Sequence, residues 1–151
     1  MIALYRTFTS LDRSDRRLVL EAISLMGLVW IGLRLLRFLT LRRILDHYAG
    51  SPTTGDARQS DGGAIAQVRW AITGVAARFP VSATCLVQAL AGDAILRRKG
   101  LPSELYIGVR VRANSAVPFA AHAWVECEGG VAIGGIENLP DFKVLTALRS
   151  Q

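Results

Sequence analysis

Apolar residues recur every three or four positions along the first half of this chain, as they do on one face of an α-helix. The pattern predicts a long helix from about Asp12 to Phe38, because Thr9–Asp12 and Ser14–Asp15 offer side chains that cap a helix start. A shorter helix is predicted from Leu41 to Tyr48, with Thr40 as its cap.

Two more helices are predicted before the pattern changes. The first covers Ala64–Ala77, where apolar residues again recur at helical spacing. The second covers about Ala83 to Lys99, with Ser82 or Thr84 as its cap and Gly100 after its end. Its last turn carries a run of cations, which suits the negative end of the helix dipole. Residues at both ends therefore mark the limits of this second helix.

From Glu104 the hydrophobic period becomes two, which is typical of half-buried strands. One strand is predicted over Glu104–Arg112 and a second over Phe119–Cys127, with a turn at Asn114–Ser115 between them. Glu128–Gly130 predicts a hairpin turn, after which a return strand begins at residues 131–133. Helices followed by an antiparallel sheet indicate an α+β fold.

The stretch from Gly50 to Gly63 is rich in Gly, Ser, Pro and Asp, and we interpret it as a linker. We therefore predict a helical N-terminal arm over residues 1–50, a linker over 51–63 and an α+β domain over 64–151. The chain has 151 residues, half of them apolar, which is enough for one domain with a real core.

The arm is so apolar that a membrane has to be considered. Its longest uncharged run, Ala22–Leu33, is shorter than the roughly 18 residues that a spanning helix needs. We therefore expect a helix that is buried against the domain or lies in a membrane interface. In the interfacial alternative four arginines snorkel to lipid phosphates: Arg34, Arg37, Arg42 and Arg43. Because no signal peptide is evident, we expect a cytoplasmic protein, with peripheral membrane contact through residues 1–50 left open.

The net charge of +6 comes mostly from arginine, which suits an acidic or phosphate-bearing partner. We predict no nucleic-acid binding, because the interleaved aromatic and basic residues of a nucleic-acid platform are missing. Two cysteines, Cys85 and Cys127, are too few for a disulfide scaffold and favour a reducing compartment. We expect no cofactor and no metal site.

Cys85 is the first candidate for chemistry, because it stands at the predicted start of a helix. The positive end of the helix dipole and the free N–H groups there favour a thiolate over a thiol, and the thiolate is the nucleophile. The same N–H groups can hold the oxyanion that forms when a carbonyl is attacked. The alternative is that Cys85 is a small core residue.

His122 is the second candidate, on the polar face of a predicted strand beside Trp124. A histidine that works with a cysteine must lie within hydrogen-bond reach of the sulfur, and a strand is a rigid mount for it. Packing of the sheet on the helix of Cys85 can bring the two together. We interpret His47 as structural and Cys127, on the opposite strand face, as core packing.

These residues carry a resemblance to a known family. The order of a cysteine at a helix start, a strand, and then His-Ala-Trp-Val-Glu on the next strand resembles the transglutaminase-like cysteine proteases. Within that superfamily, TCLVQALAGDAILRRKGLPSELYIGVR and FAAHAWVECEGGVAIGG resemble the lasso-peptide leader peptidases, the protease half of the split B protein. The leucine- and arginine-rich arm also resembles the helical segment that precedes the catalytic domain in that family.

The resemblance implies a transglutaminase-like, papain-like fold and a role in peptide maturation. Such enzymes cut the leader from a ribosomally made precursor, and a separate ATP-dependent macrolactam synthetase then closes the ring. A small recognition protein presents the leader. We expect that protein to be a separate partner, because the first fifty residues look helical and unlike its winged-helix arrangement.

Carried over by residue, the resemblance makes Cys85 the nucleophile and His122 the group that deprotonates it and later protonates the leaving amine. The family also has an acid, usually Asp, about a dozen residues after the histidine, but Ile133–Gly135 occupies that place here. Glu126, Glu137 and Asp141 are the possible substitutes. A backbone carbonyl or an amide can also orient the imidazole, and a Cys-His pair tolerates loss of the acid because its thiol is intrinsically acidic.

Two alternatives to the leader peptidase stay open. The same Cys-His pair would serve another acyl transfer, as in an amidase or a cell-wall peptidase. A non-catalytic or membrane-associated scaffold of a peptide-maturation complex would explain both the missing acid and the apolar arm.

Overall fold

The computed structural model describes residues 12–50, 62–79, 84–111, 119–136 and 138–148. Four helices come first: α1 Arg13–Leu35, α2 Phe38–Ala49, α3 Gly62–Ala76 and α4 Cys85–Arg98. Four antiparallel strands follow: β1 Ser103–Val111, β2 Phe119–Cys127, β3 Gly130–Ile133 and β4 Lys143–Leu148. The strands form one sheet in the order β3-β2-β1-β4. The predicted α+β fold is confirmed.

The first two helices differ from the prediction at the break between them. Asp12 caps α1 as expected, with Oδ1 accepting the N–H of Arg13 at 2.8 Å, whereas Thr9 and Ser10 lie outside the described residues. However, α1 ends at Leu35, and α2 begins at Phe38 after Arg37 instead of after Thr40. The early break lets α2 fold back so that Leu41 lies against Gly32, where a methyl group would stand 2.6 Å from Leu41 Cδ1.

Helix α1 is a core helix on one side. Its inward stripe is buried and belongs to the same hydrophobic core as α3, α4 and the sheet: Leu18, Ala22, Leu25, Met26, Val29 and Gly32. By length and composition α1 is also able to cross a membrane, since its 23 residues include a window with a mean hydropathy of 1.9. The predicted boundaries of the arm and the linker stay a prediction; residues 51–61 lie outside the described part of the chain.

Helix α4 runs through the centre of the molecule. Eight consecutive residues, Ala89–Leu96, are buried, and α4 contacts the other three helices and strands β1, β2 and β3. Gly92 has no side chain because the helix approaches the sheet closely there; an added methyl group would lie 2.8 Å from Ile133 Cγ1. The helix ends as predicted at Gly100, whose φ of 79° lets the N–H of Leu101 reach back to the carbonyl of Leu96.

A buried ion pair joins α2 to α4 and corrects one expectation. Asp93 is fully buried, and its Oδ2 lies 2.8 Å from Nη1 of Arg42. Ser103, at the start of β1, donates a hydrogen bond from Oγ to Asp93 Oδ1 at 2.7 Å. The expectation that Arg42 snorkels to lipid is therefore wrong, because the fold of α2 onto α4 turns this arginine inward.

The sheet divides its side chains between two environments. On one face Leu105, Val125 and Cys127 enter the core against the helices. On the other face stand Tyr106 and Trp124, with His122 next along β2 and paired with Gly108 of β1. The connection from β3 to β4 has to pass from one edge of the sheet to the other. Contacts of its two ends, Gly134 and Phe142, with His122 place it on the face away from α4.

Candidate active site

Cys85 is the first residue of α4, and Thr84 is its cap. Oγ1 of Thr84 accepts the N–H of Val87 at 3.4 Å, whereas the alternative cap, Ser82, lies outside the described residues. The thiol is free and half-buried at the margin of the core. The N–H groups of Cys85 and Leu86 come too early in the helix to have intrahelical partners. A carbonyl at this helix start would therefore meet a nucleophile and hydrogen-bond donors together.

His122 is half-buried and held by a backbone carbonyl. Its Nε2 lies 2.7 Å from the carbonyl oxygen of Gly134. A carbonyl oxygen only accepts hydrogen bonds, so Nε2 carries the proton and donates it. In the neutral imidazole Nδ1 is then the acceptor, which is the state that a general base needs.

Aromatic rings fix the imidazole from its other sides. The ring of Trp124 lies nearly parallel to it, with centroids 6.2 Å apart, and the ring of Phe142 is tilted over it at 5.6 Å. Trp124 stacks in turn on Tyr106 at 5.6 Å. Gly108 leaves room for the indole, since a methyl group there would lie 2.9 Å from Trp124 Cζ3. The histidine therefore stands on a packed aromatic platform.

The helix start and the histidine are level along the sheet. Gly92 contacts Ile133, which pairs with Val125 of β2, so that this part of α4 is level with Val125. Cys85 lies two turns before Gly92, a rise of about 10.5 Å, and His122 lies three residues before Val125, about 10 Å along the strand. Helix α4 turns back into β1 within four residues, and β1 is antiparallel to β2, so α4 and β2 run in the same direction. Cys85 and His122, which both precede this contact in their elements, therefore lie on the same side of it.

Side chains alternate along β2, so His122 is on the same face of the sheet as Trp124, whereas α4 packs on the opposite face. Strand β3 ends at Ile133, opposite Val125, and within the described part of the chain no strand pairs with that edge of β2 beyond it. The imidazole therefore stands on the face of the sheet away from α4, beside an edge of β2 that is covered by Gly134 instead of by a further strand.

Two of the three acids considered as orienting groups have other partners. Glu126 shares the face of His122, and its Oε1 accepts the indole N–H of Trp124 at 3.0 Å. Asp141 forms an ion pair with Arg110, with Oδ2 and Nη1 3.5 Å apart. Glu137 lies outside the described residues. The carbonyl of Gly134 thus occupies the position, twelve residues after the histidine, where the resemblance implies an acid.

The second cysteine is a core residue, which confirms that interpretation. Cys127 is 4% exposed, and its Sγ donates to the carbonyl of Pro102 at 3.2 Å. Burial raises the pKa of the Cys127 thiol, and the nearby charges of Glu128 and Asp93 raise it further. The other histidine, His47, is exposed in the last turn of α2. Among the described residues no group of His, Cys, Asp and Glu side chains is arranged to hold a metal ion.

Three parts of the platform were not assigned a role from the sequence. Phe142 follows a short 3₁₀ turn, Leu139–Asp141, whose composition does not point to the site. The carbonyl of Gly134 is a backbone group, and sequence patterns report on side chains. Gly108 did give a signal, because an isolated glycine within an alternating strand indicates a close approach by another group.

Comparison with known proteins gives one match. The model of a family described as the transglutaminase-like superfamily matches residues 28–147, which is well over half of the chain. The matched region contains both Cys85 and His122 and includes α2, α3, α4 and the sheet nearly to its last residue. No curated protein and no solved structure matches the chain significantly.

Proposed function

The chain belongs to the transglutaminase-like superfamily, which generally includes cysteine-based proteases and acyltransferases, and from that premise we propose that it is a cysteine endopeptidase. Its proposed substrate is the ribosomally made precursor of a lasso peptide, from which it removes the leader. Cys85 is the proposed nucleophile and His122 the proposed base. The motifs around these two residues are the basis for choosing this substrate among those of the superfamily.

The observation that carries the proposal is the hydrogen bond from His122 Nε2 to the carbonyl of Gly134. This hydrogen bond leaves Nδ1 free to accept a proton. Along the sheet, His122 is at about the same level as the start of α4. A thiol that gives its proton to Nδ1 becomes a thiolate at the positive end of a helix, and both effects stabilise its charge. In the proposed site the strand thus supplies the base, and the helix start supplies the nucleophile and the oxyanion donors.

In the proposed reaction, Cys85 Sγ attacks the scissile carbonyl after its proton has moved to Nδ1 of His122. The N–H groups at the start of α4 stabilise the resulting oxyanion. When the intermediate collapses, the C–N bond breaks, and the leaving amine takes the proton from Nδ1. Water then attacks the thioester, gives a proton to Nδ1 and releases the leader carboxylate, and that proton returns to the sulfur.

Two partner proteins complete the proposal. Residues 12–50 form two helices. As the resemblance implies, we assign recognition to a separate small protein that presents the leader. The freed core peptide then passes to a separate ATP-dependent macrolactam synthetase.

The test is cleavage of a candidate precursor, in the presence of its recognition protein, followed by mass spectrometry. We expect the wild-type chain and Cys127→Ala to release the leader, and Cys85→Ala and His122→Ala to leave the precursor intact. Circular dichroism and thermal unfolding of each variant separate loss of chemistry from loss of folding. If Cys85→Ala processes the precursor as the wild type does, Cys85 is not the nucleophile and the proposed mechanism is wrong. If the wild-type chain itself leaves the precursor intact, the scaffold alternative is favoured.

A further inference from the structure

The exposed apolar side chains of this molecule are concentrated on its first two helices. Within the described part of the chain fourteen large hydrophobic residues are exposed, and eight of them lie between Leu20 and Ile44. We define the outer face by six of them: Leu20, Ile23, Leu28, Ile31, Leu35 and Leu39. Leu35 and Leu39 are the most exposed, at 77% and 69%. Several exposed large apolar side chains on one side of a helix indicate an interaction surface.

The opposite side of α1 is fixed in the core. Ala22, Met26 and Val29 have no exposed surface at all, and they pack with the buried residues of α3 and α4. A helix held in this way can cross a bilayer only by leaving the core. The outer face is therefore available for contact along the length of α1, in the plane of a surface.

Arginines lie at both ends of the outer face. Arg13 and Arg17 come before it in the sequence, Arg37 and Arg43 lie near its C-terminal end, and all four are exposed. From residue 22 to residue 45 the chain contains no acidic residue. Arg34 lies over the indole of Trp30, with its guanidinium carbon 4.3 Å from the ring centroid. Apolar side chains bordered by arginine, with an indole beside them, match the boundary between acyl chains and anionic headgroups.

We propose that the outer face docks in the plane of an anionic lipid bilayer, with its leucines and isoleucines entering the acyl boundary and its arginines contacting lipid phosphates. This inference goes beyond the proposed protease function and does not depend on it. Protein hot spots favour Trp, Tyr and Arg and contain few leucines, which makes a protein partner a poorer match for this face. A second copy of the chain would bring arginines against arginines in either orientation of α1 on α1.

The test is flotation of the purified full chain with vesicles. We expect the wild type to float with vesicles of phosphatidylcholine that contain 30% phosphatidylglycerol. With vesicles of phosphatidylcholine alone the partition coefficient falls about tenfold or more, because each basic residue near an anionic surface contributes about 1 kcal/mol. In 0.5 M salt the difference between the two vesicles shrinks.

Two pairs of substitutions locate the contact. Leu35→Gln/Leu39→Gln changes exposed side chains of the outer face, and we expect its partition to the anionic vesicles to fall at least about tenfold. Val144→Gln/Leu145→Gln is the matched control, because these side chains on β4 are 51% and 66% exposed. The control pair retains wild-type binding. Equal melting temperatures show that both variants fold.

The proposal is overturned if the wild type stays in the dense fraction with both vesicles, or if the two double variants bind equally. It is also overturned if light scattering shows a dimer that Leu35→Gln/Leu39→Gln dissociates, since a second copy then covers the face. Arg37→Gln/Arg43→Gln adds an independent check: it should remove most of the preference for anionic over neutral vesicles.

Discussion

The orientation of His122 depends on a backbone carbonyl where the related proteases are expected to carry an acid. The carbonyl of Gly134 accepts the proton of Nε2 and sets the tautomer without adding a negative charge. Gly134 has a φ of 77°, which only glycine adopts without strain, and this conformation aims the carbonyl at the ring. At the scale of single residues the proposed site therefore consists of one thiol, one imidazole and one peptide group.

Gly134→Ala tests this role. An added methyl group would stand 2.8 Å from the carbonyl of Ala123, so the backbone has to move and the hydrogen bond to His122 is lost. We predict that cleavage slows about tenfold or more, and that the ¹⁵N spectrum of His122 no longer shows a proton held at Nε2. Gly135→Ala is the control, because its methyl group would lie at an ordinary distance of 3.6 Å from Val131 Cγ1. Equal histidine spectra in both variants would refute the positioning role.

The two cysteines should differ in reactivity because their local surroundings differ. Because burial raises the pKa of Cys127, this thiol stays protonated at neutral pH and its labelling increases only at a pH above that of an ordinary cysteine. Cys85 is only half-buried and is therefore the more accessible of the two thiols. We predict that iodoacetamide at pH 7 labels Cys85 first, as followed by peptide mass mapping. Labelling of Cys127 before Cys85 would contradict this order.

At the scale of elements, α4 holds the site together because it is anchored at both sides. Asp93 ties it to α2 through Arg42 and to β1 through Ser103, and the pair is shielded from water. Asp93 also pairs with Arg97, so neutralising it leaves two buried arginines with only the partly exposed Asp46 as a counter-ion. Such a loss is far more costly than losing a pair on the surface.

We therefore predict that Asp93→Asn lowers the free energy of unfolding by about 3–5 kcal/mol. The matched control is Asp46→Asn, since Asp46 also pairs with Arg42 and Arg97 but its side chain is 42% exposed. We expect it to cost at most about 1 kcal/mol. Urea denaturation followed by circular dichroism measures both values. Equal losses would show that the buried pair does not anchor α4.

For the whole molecule, the structure places the N-terminal helices in the same core as α4, the helix that begins at Cys85. Met26 and Val29 of α1 have no exposed surface, and α1 covers parts of α3 and α4 that would otherwise face water. The N-terminal arm is thus a structural part of the molecule on its inner side, and its outer face is free for the proposed contact with lipid.

This packing predicts that a chain without residues 1–50 aggregates or unfolds. The milder variant Met26→Ala should lose about 2–5 kcal/mol of stability through the cavity it leaves. Leu20→Ala, on the outer face and 53% exposed, should change stability by less than about 0.5 kcal/mol. Thermal and urea unfolding compare the three proteins. A truncated chain that remains soluble, folded and active would show that α1 is dispensable to the core.

The sequence predicts those elements whose residues alternate in a regular way. Strand β2 follows its predicted limits from Phe119 to Cys127, because its alternation is uninterrupted and turn residues come after it. The break after Leu35 was missed, since the leucine-rich pattern continues across it and no glycine or proline marks the end of α1. Strand β4 was missed because its residues are mostly exposed on both faces and thus lack alternation.

From the sequence, only those residues of the candidate site could be predicted whose side chains form a recognisable pattern. Cys85 stands out by its place at a helix start, and His122 by its face of a strand. Their partners depend on the three-dimensional fold: Arg42 reaches Asp93 across 51 residues, and Gly134 contributes only a peptide oxygen. Such contacts form between elements far apart in the chain, so no local pattern encodes them.

The most direct test of the central claim, that the thiol of Cys85 and the imidazole of His122 share a proton, is the pH dependence of alkylation. In a Cys127→Ala background only Cys85 reacts, and its iodoacetamide rate constant can be measured from pH 4 to pH 10 with His122 present or replaced by Ala. We predict that the rate constant at neutral pH falls at least about tenfold in His122→Ala, because the thiol then lacks the base that takes its proton. Identical rate constants in both proteins over the whole pH range would contradict the claim.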